Sequence, residues 1–344
     1  MKIQKYPIHF DDGFFHGWPD VALLGDGRSL LAVYNECLEH CDRRHTRIMS
    51  LRSNDFGRTW SAPIPLTPPS DDSGWYYNCP RIQRLDDGNI LFIIDRIPLK
   101  PGNTLYEGAE AICNAEVFMA RSTDDGATWS ALEKLPLHGI VPSKILVTHT
   151  GRWIIGAHHP MDDGNNSQYA IYSDDCGKTW SAEKLIASVD GYSLCEASFV
   201  ETPDGKIVCL LRENGFNGRD CMKVISEDNG ETWGDVIALP IPACHRPVGG
   251  PLKDGRYLIT YRFYQGGKYG QQNFFGALTD VESLCAKERN DAGVRIFPID
   301  WDSSEHSDLG YSGWVQKADG ELFVITYIHD DCPKAQLRGY SIEL

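Results

Sequence analysis

Hydrophobic positions in this chain fall in short runs rich in β-branched and aromatic residues, and successive runs are joined by a polar turn centred on glycine. The pattern recurs six times, at Asp26-Gly27, Asp87-Gly88, Thr150-Gly151, Asp204-Gly205, Asp254-Gly255 and Asp319-Gly320. The runs leaving these turns (30–34, 90–94, 153–155, 207–211, 257–261 and 322–327) are too short for core helices, so each unit predicts a strand hairpin. A second pattern follows four of the hairpins. Residues 53–60, 122–129, 173–180 and 226–233 all read Ser-x-Asp-x-Gly-x-Thr-Trp. In such a turn the Asp carboxylate accepts bonds from turn amides, glycine supplies a positive φ, and the tryptophan buries against its own repeat.

The four boxes start 69, 51 and 53 residues apart, the spacing of a stacked or radial repeat. Six hairpins, four of them followed by a box hairpin, predict one all-β domain over residues 1–344, a six-bladed β-propeller of four-stranded blades. The last blade shows only three strands of its own, at 313–316, 322–327 and 336–344, so residues 3–8 are expected to return as its fourth. The fifth blade carries a degenerate Ala277-Leu-Thr-Asp280 where its box should be. Residues 99–115 and 285–308 read as long excursions, which on a rigid scaffold commonly carry substrate contacts. Closure would leave no sheet edge to pair, so a monomer is expected.

A formal charge of −15 argues against nucleic acid or an anionic membrane as partner, since either requires clustered Lys and Arg. No apolar run approaches membrane-spanning length. The opening Met1-Lys-Ile-Gln-Lys-Tyr-Pro7 lacks an apolar signal core, and eleven dispersed cysteines suit a reducing compartment, so a cytoplasmic location is expected. Cys37, His40, Cys41 and His45 crowd one stretch. Their spacing misses the paired pattern of a zinc site, and neither a metal nor a cofactor is expected.

Residues equidistant from a hairpin turn should meet, so positions eight before and eight after each turn should gather at one end of the hairpins. The earlier set is Trp18, Cys79, Pro142, Glu196, Arg246 and Tyr311, and the later set is Tyr34, Asp95, His158, Arg212, Arg262 and Tyr327. A packed apolar axis would not hold such residues. They predict a concave polar site.

The boxes, the six hairpins, the line Cys195-Glu-Ala-Ser-Phe-Val-Glu-Thr-Pro-Asp-Gly-Lys-Ile-Val-Cys-Leu-Leu-Arg212 and the line Gly310-Tyr-Ser-Gly-Trp-Val-Gln-Lys-Ala-Asp-Gly320 resemble the sialidase (neuraminidase) superfamily, the Asp-box (BNR repeat) six-bladed propellers. The resemblance covers essentially the whole chain. It implies that Tyr311 is the nucleophile, Glu196 the base that takes its proton, and Arg212 one of three arginines that hold a substrate carboxylate. A neutral phenol, deprotonated only as it attacks, avoids the repulsion that a carboxylate nucleophile would meet beside an anionic sugar. Asp42, in Cys41-Asp-Arg-Arg-His45, falls near the family's acid/base aspartate, with Asp20, Asp95 and Glu36 as rivals.

The chain departs from the family where Gly17-Trp18-Pro19 replaces the Arg-Ile-Pro of the first blade, and where Tyr327 replaces a glutamate. Arg246 or Arg262 stands for the third arginine by position. Trp18 would offer an aromatic wall instead, and Arg81, Asp20, Asp95, His158 and Tyr327 complete the candidate substrate-binding set. The resemblance implies an exo-acting, retaining glycoside hydrolase acting on small glycosides or oligosaccharides, with a carboxylated terminal sugar among the candidates. Two other readings use the same residues: a carbohydrate-binding propeller without catalysis, and a uronate lyase with Tyr311 or His158 as base.

Overall fold

The computed structural model describes every residue except 71–72, 100–107, 267–269 and 331. Six antiparallel four-stranded sheets follow one another along the chain, the blade complement of a six-bladed β-propeller. The first sheet runs Phe15–Leu23, Leu30–Cys37, Thr46–Ser53 and Ile64–Pro65, and the second Trp75–Arg84, Ile90–Pro98, Glu116–Ser122 and Glu133–His138. The third is Leu146–Val147, Trp153–Pro160, Asn166–Ser173 and Lys184–Ala187, and the fourth Leu194–Glu201, Ile207–Glu213, Asp220–Ser226 and Ile237–Pro242. The fifth comprises Cys244–Pro251, Tyr257–Tyr264, Gln272–Thr279 and Arg295–Trp301. The sixth takes Leu309–Gln316, Leu322–Ile328 and Gln336–Glu343 from the C-terminal end and Lys2–His9 from the N-terminal end.

The chain divides into two compact units, Met1–Leu135 with Asp302–Leu344, and Pro136–Trp301. In the first unit the core lies between neighbouring sheets. Val21, Leu30 and Ala32 of sheet one pack with Phe323 and Ile325 of sheet six, while Ala22, Leu31 and Val33 pack with Ile82, Ile90 and Phe92 of sheet two. In the second unit Leu194, Ile207 and Cys209 of sheet four pack with Ile154 and Ala170 of sheet three, and Val208 and Leu210 with Ile259 and Tyr261 of sheet five. Second strands covered on both faces explain why their sequences are nearly continuous hydrophobic runs instead of alternating ones.

Each box closes the hairpin of its sheet by the expected chemistry. In the first, Ser53 Oγ donates to Asp55 Oδ1 at 2.8 Å and accepts from the Gly57 amide at 2.8 Å, while Thr59 gives its amide to Asp55 Oδ1 and its hydroxyl to Asp55 Oδ2. Gly57 has φ +85°, and a Cβ there would lie 2.0 Å from the Phe323 ring of the preceding blade. The box glycine thus serves the turn and also the docking of one blade on another.

One excursion differs from the sequence reading. Residues 285–308 are not a free link, because Arg295–Trp301 pairs with Gln272–Thr279 as the outer strand of sheet five. Asp280 of the degenerate box caps the short helix Val281–Cys285, its side chain accepting from the Ser283 amide, so a helical turn stands where the other blades have a box. Residues 100–107 of the expected excursion at 99–115 lie outside the described residues, and the helix Gly108–Cys113 follows them. Among the described residues no helix is long and apolar enough to cross a membrane.

Candidate active site

The first strand of five sheets slips register at one place, between Gly17 and Asp20, Asn78 and Arg81, Cys195 and Ser198, His245 and Val248, and Gly310 and Gly313. Inside each slip one residue adopts left-handed backbone: Trp18 (φ 52°), Cys79 (29°), Glu196 (58°), Arg246 (50°) and Tyr311 (53°). These are the eight-before positions. The sixth, Pro142, is barred from this conformation by its ring, and its neighbour Val141 takes it at 53°. Left-handed backbone at a non-glycine residue costs on the order of 1–3 kcal/mol, and a bulge re-aims the side chain it carries. The same strained device therefore presents a tyrosine, a glutamate, an arginine and a tryptophan.

The bulge also corrects the expected pairing. Asp95, Arg212, Arg262 and Tyr327 do not face the bulged residues but the ones before them, Asn78, Cys195, His245 and Gly310. In the first sheet the turn is one residue longer, so Asn35, paired with Gly17, takes the place expected of Tyr34. Asn35 is buried and donates to the Tyr77 carbonyl at 3.1 Å, while Tyr34 packs against His9 and His16.

In the second unit, Arg212 Nη1 donates to Glu196 Oε1 at 2.9 Å, with both side chains buried. The Glu196 amide donates to His158 Nδ1 at 3.3 Å, which leaves the His158 ring proton on Nε2. Burial pushes the His158 pKa down to about 3; Glu196 pulls it up, while Arg212, Arg246 and His159 push it further down. Arg246 is buried, directing Nη1 to the Ala197 carbonyl at 3.4 Å and Nη2 to the Pro142 carbonyl at 3.5 Å. Arg262 is buried as well, and its charge and that of Arg212 depress the pKa of buried His245 further after burial itself. Sequence reasoning missed His245 and Phe216. Phe216 is exposed, at φ 53°, with the Arg212 guanidinium 5.4 Å above its ring.

In the first unit, Tyr311 is 8% exposed at its bulge. Tyr327 is fully buried and donates its hydroxyl to Asp308 Oδ1 at 2.8 Å; Asp308 Oδ2 stands 2.6 Å from His40 Nδ1. Trp18 is no open wall: it is 3% exposed, with the Arg43 guanidinium 3.9 Å from its ring centre and Phe15, His40 and Tyr327 around it. Asp20 is fully buried and accepts from the amides of Val21 (2.9 Å) and Ile82 (3.0 Å), tying the first strands of sheets one and two. Arg81 is buried with Nη1 on the Pro80 carbonyl, and Asp95 is buried, accepting from Asn78 at 3.0 Å. Asp42 lies on a loop and accepts from Arg44 Nε at 3.0 Å, which holds its carboxyl below the usual range. Cys37, His40, Cys41 and His45 go separate ways: Cys37 Sγ faces the Glu39 carbonyl, Cys41 is exposed, and His45 packs on Phe14. Among the described residues no group of three or more His, Cys, Asp or Glu is placed to hold a metal ion.

The sequence pattern of the BNR repeat-like domain matches residues 106–324. A sialidase of Clostridium perfringens is 32% identical over 235 residues, which are 57% of this chain and 59% of that protein. A sialidase of Paraclostridium sordellii is 30% identical over 208 residues, half of each chain, so the chain spans little more than half the length of these relatives. Among solved structures, a protein of unknown function from Dyadobacter fermentans superposes with a TM-score of 0.79 over 99% of both chains at 21% identity. A leech intramolecular trans-sialidase superposes with a TM-score of 0.70 over 97% of this chain and 69% of its own, at 15% identity.

Proposed function

Because the chain belongs to the BNR repeat-like family, the Asp-box propellers of the sialidase superfamily, we propose that it is an exo-acting glycoside hydrolase that works with retention through a covalent glycosyl-tyrosine on Tyr311. The observation that carries this reading is the repeated strained bulge, which holds Tyr311, Glu196 and Arg246 at equivalent positions of three different sheets. Strain kept at one equivalent position, on residues of this chemistry, supports that reading.

In this mechanism the Tyr311 hydroxyl attacks the anomeric carbon while a base takes its proton, the role that the family resemblance gives to Glu196, and the bond to the aglycone oxygen breaks as that oxygen is protonated by an acid. Water then displaces the tyrosine with the proton movements reversed. Three buried guanidiniums, Arg212, Arg246 and Arg262, suit an anionic group on the terminal sugar. Small glycosides or oligosaccharides ending in a carboxylated sugar are the substrate class. Elimination with His158 as base is less well supported, since Nδ1 already accepts from the Glu196 amide and burial lowers its basicity.

The test is Tyr311→Phe against a panel of aryl sialosides, uronides and neutral glycosides. Turnover should vanish with the melting temperature kept. A folded Tyr311→Phe with full turnover overturns the mechanism. Calorimetric binding of these sugars by a wild type that cleaves none of them would support a carbohydrate-binding propeller instead.

A further inference from the structure

We infer that His40, oriented by Asp308, is the residue that protonates the departing aglycone and later takes a proton from water. This rests on the proposed hydrolase reading and names a residue for the one role that its sequence candidates fill poorly. Each of those carboxylates is already engaged in structure. Asp42 is held by Arg44. Asp20 receives the amides of Val21 and Ile82. Asp95 accepts from the Asn78 side chain. Glu36 accepts from Arg47 Nε at 2.6 Å and faces His16 at 3.5 Å. Carboxylates committed to such partners within the fold are poorly placed to hand a proton to a glycoside.

His40 is built differently. Its side chain is 41% exposed, and Nδ1 stands 2.6 Å from Asp308 Oδ2. The other Asp308 oxygen accepts from the Tyr327 hydroxyl at 2.8 Å, so the carboxylate is fixed from both ends. A carboxylate at Nδ1 holds the proton there, fixes the ring's orientation, leaves Nε2 for a reacting group, and stabilises the imidazolium whenever it forms. The location also fits. Tyr327 pairs in register with Gly310, the residue before Tyr311, and His40 stands edge-on to Trp18, whose ring is 5.8 Å from Tyr327. Asp308 is bonded to the imidazole, Arg43 lies over Trp18, and the stretch that carries His40 also carries Glu39, paired with Lys334, and Asp42, paired with Arg44.

The step balances. As the Tyr311 oxygen bonds to the anomeric carbon and the aglycone bond breaks, the Nε2 proton of His40 passes to the aglycone oxygen, leaving a neutral ring. In the second half Nε2 takes a proton from the water that attacks the anomeric carbon, and Tyr311 leaves with the proton returned by its base.

The experiment compares wild type, His40→Gln, Asp308→Asn and Tyr311→Phe on two glycosides of one sugar, with a dinitrophenyl and an alkyl leaving group. A dinitrophenolate needs no proton to depart. His40→Gln should therefore lose about 10²- to 10⁴-fold on the alkyl glycoside and less than about tenfold on the dinitrophenyl one, with added imidazole restoring part of the loss. Asp308→Asn should show the same selectivity to a smaller degree, which covers a His40 variant that fails to fold. Equal losses on both substrates, or none, with Tyr311→Phe inactive, overturn this inference while the hydrolase reading stands. A wild type that cleaves neither glycoside, whatever the sugar, overturns both.

Discussion

Arg212 reaches across the second unit's bulge to Glu196, Nη1 to Oε1 at 2.9 Å, with both side chains below a tenth exposed. In register Arg212 faces Cys195, so the contact exists because the bulge turns Glu196 back toward the neighbouring strand. Removing one member of a buried ion pair leaves its partner's charge poorly compensated, at a cost of about 3–5 kcal/mol. Arg212→Met should lose stability of that order in urea unfolding, and the double variant Glu196→Gln with Arg212→Met should recover most of it. A single-variant loss below about 1 kcal/mol would show that other groups already balance Glu196.

His158 should give the protein a distinct acid response. Burial pushes its pKa down to about 3 from an ordinary 6.5, so the folded chain resists the proton that the unfolded chain accepts. Its contribution is fully present above pH 6.5 and is lost as pH falls toward 3, at most about 1.4 kcal/mol per pH unit. Unfolding measured from pH 7 to 4 for wild type and His158→Gln should show a steeper decline in wild type. Parallel curves would mean that the imidazole is charged in the folded state.

Lys2–His9 supplies the outer strand of the sixth sheet, pairing antiparallel with Gln336–Glu343 from Lys2 opposite Glu343 to His9 opposite Leu337. Deleting residues 2–9 exposes that edge and uncovers the Ile8 side chain's packing against Val21, Phe323 and Ile325. A loss of several kcal/mol, roughly 10 °C or more in melting temperature, should follow, together with concentration-dependent aggregation through the open edge. Calorimetry and light scattering read both, and an unchanged transition would refute a stabilising role for the strand.

Much of the fold was legible because its signals are local. Asp55 bonds to Ser53 and Thr59 within its own turn, and the three other boxes repeat those bonds, so a contiguous eight-residue pattern specifies each turn without help from distant chain. The outer strand of sheet five was hidden because residues 285–308 mix a helical turn, a charged stretch and a strand with a proline, Arg295–Trp301. The count of eight residues back from a turn located Trp18, Glu196, Arg246 and Tyr311, although the physical cause, a left-handed bulge, leaves no trace in composition.

The candidate site divides in the same way. Chain order alone determined which residues occupy the bulged positions, since a hairpin's geometry counts residues outward from its turn. Only the tertiary structure decided their partners: His40 meets Asp308 across 268 residues, Arg43 covers Trp18, and Asp20 is spent on the amide of Ile82. Those contacts depend on how separately encoded strands and loops pack side by side, and hydrogen bonding between residues so far apart follows from position in space, which no local pattern of residue types records.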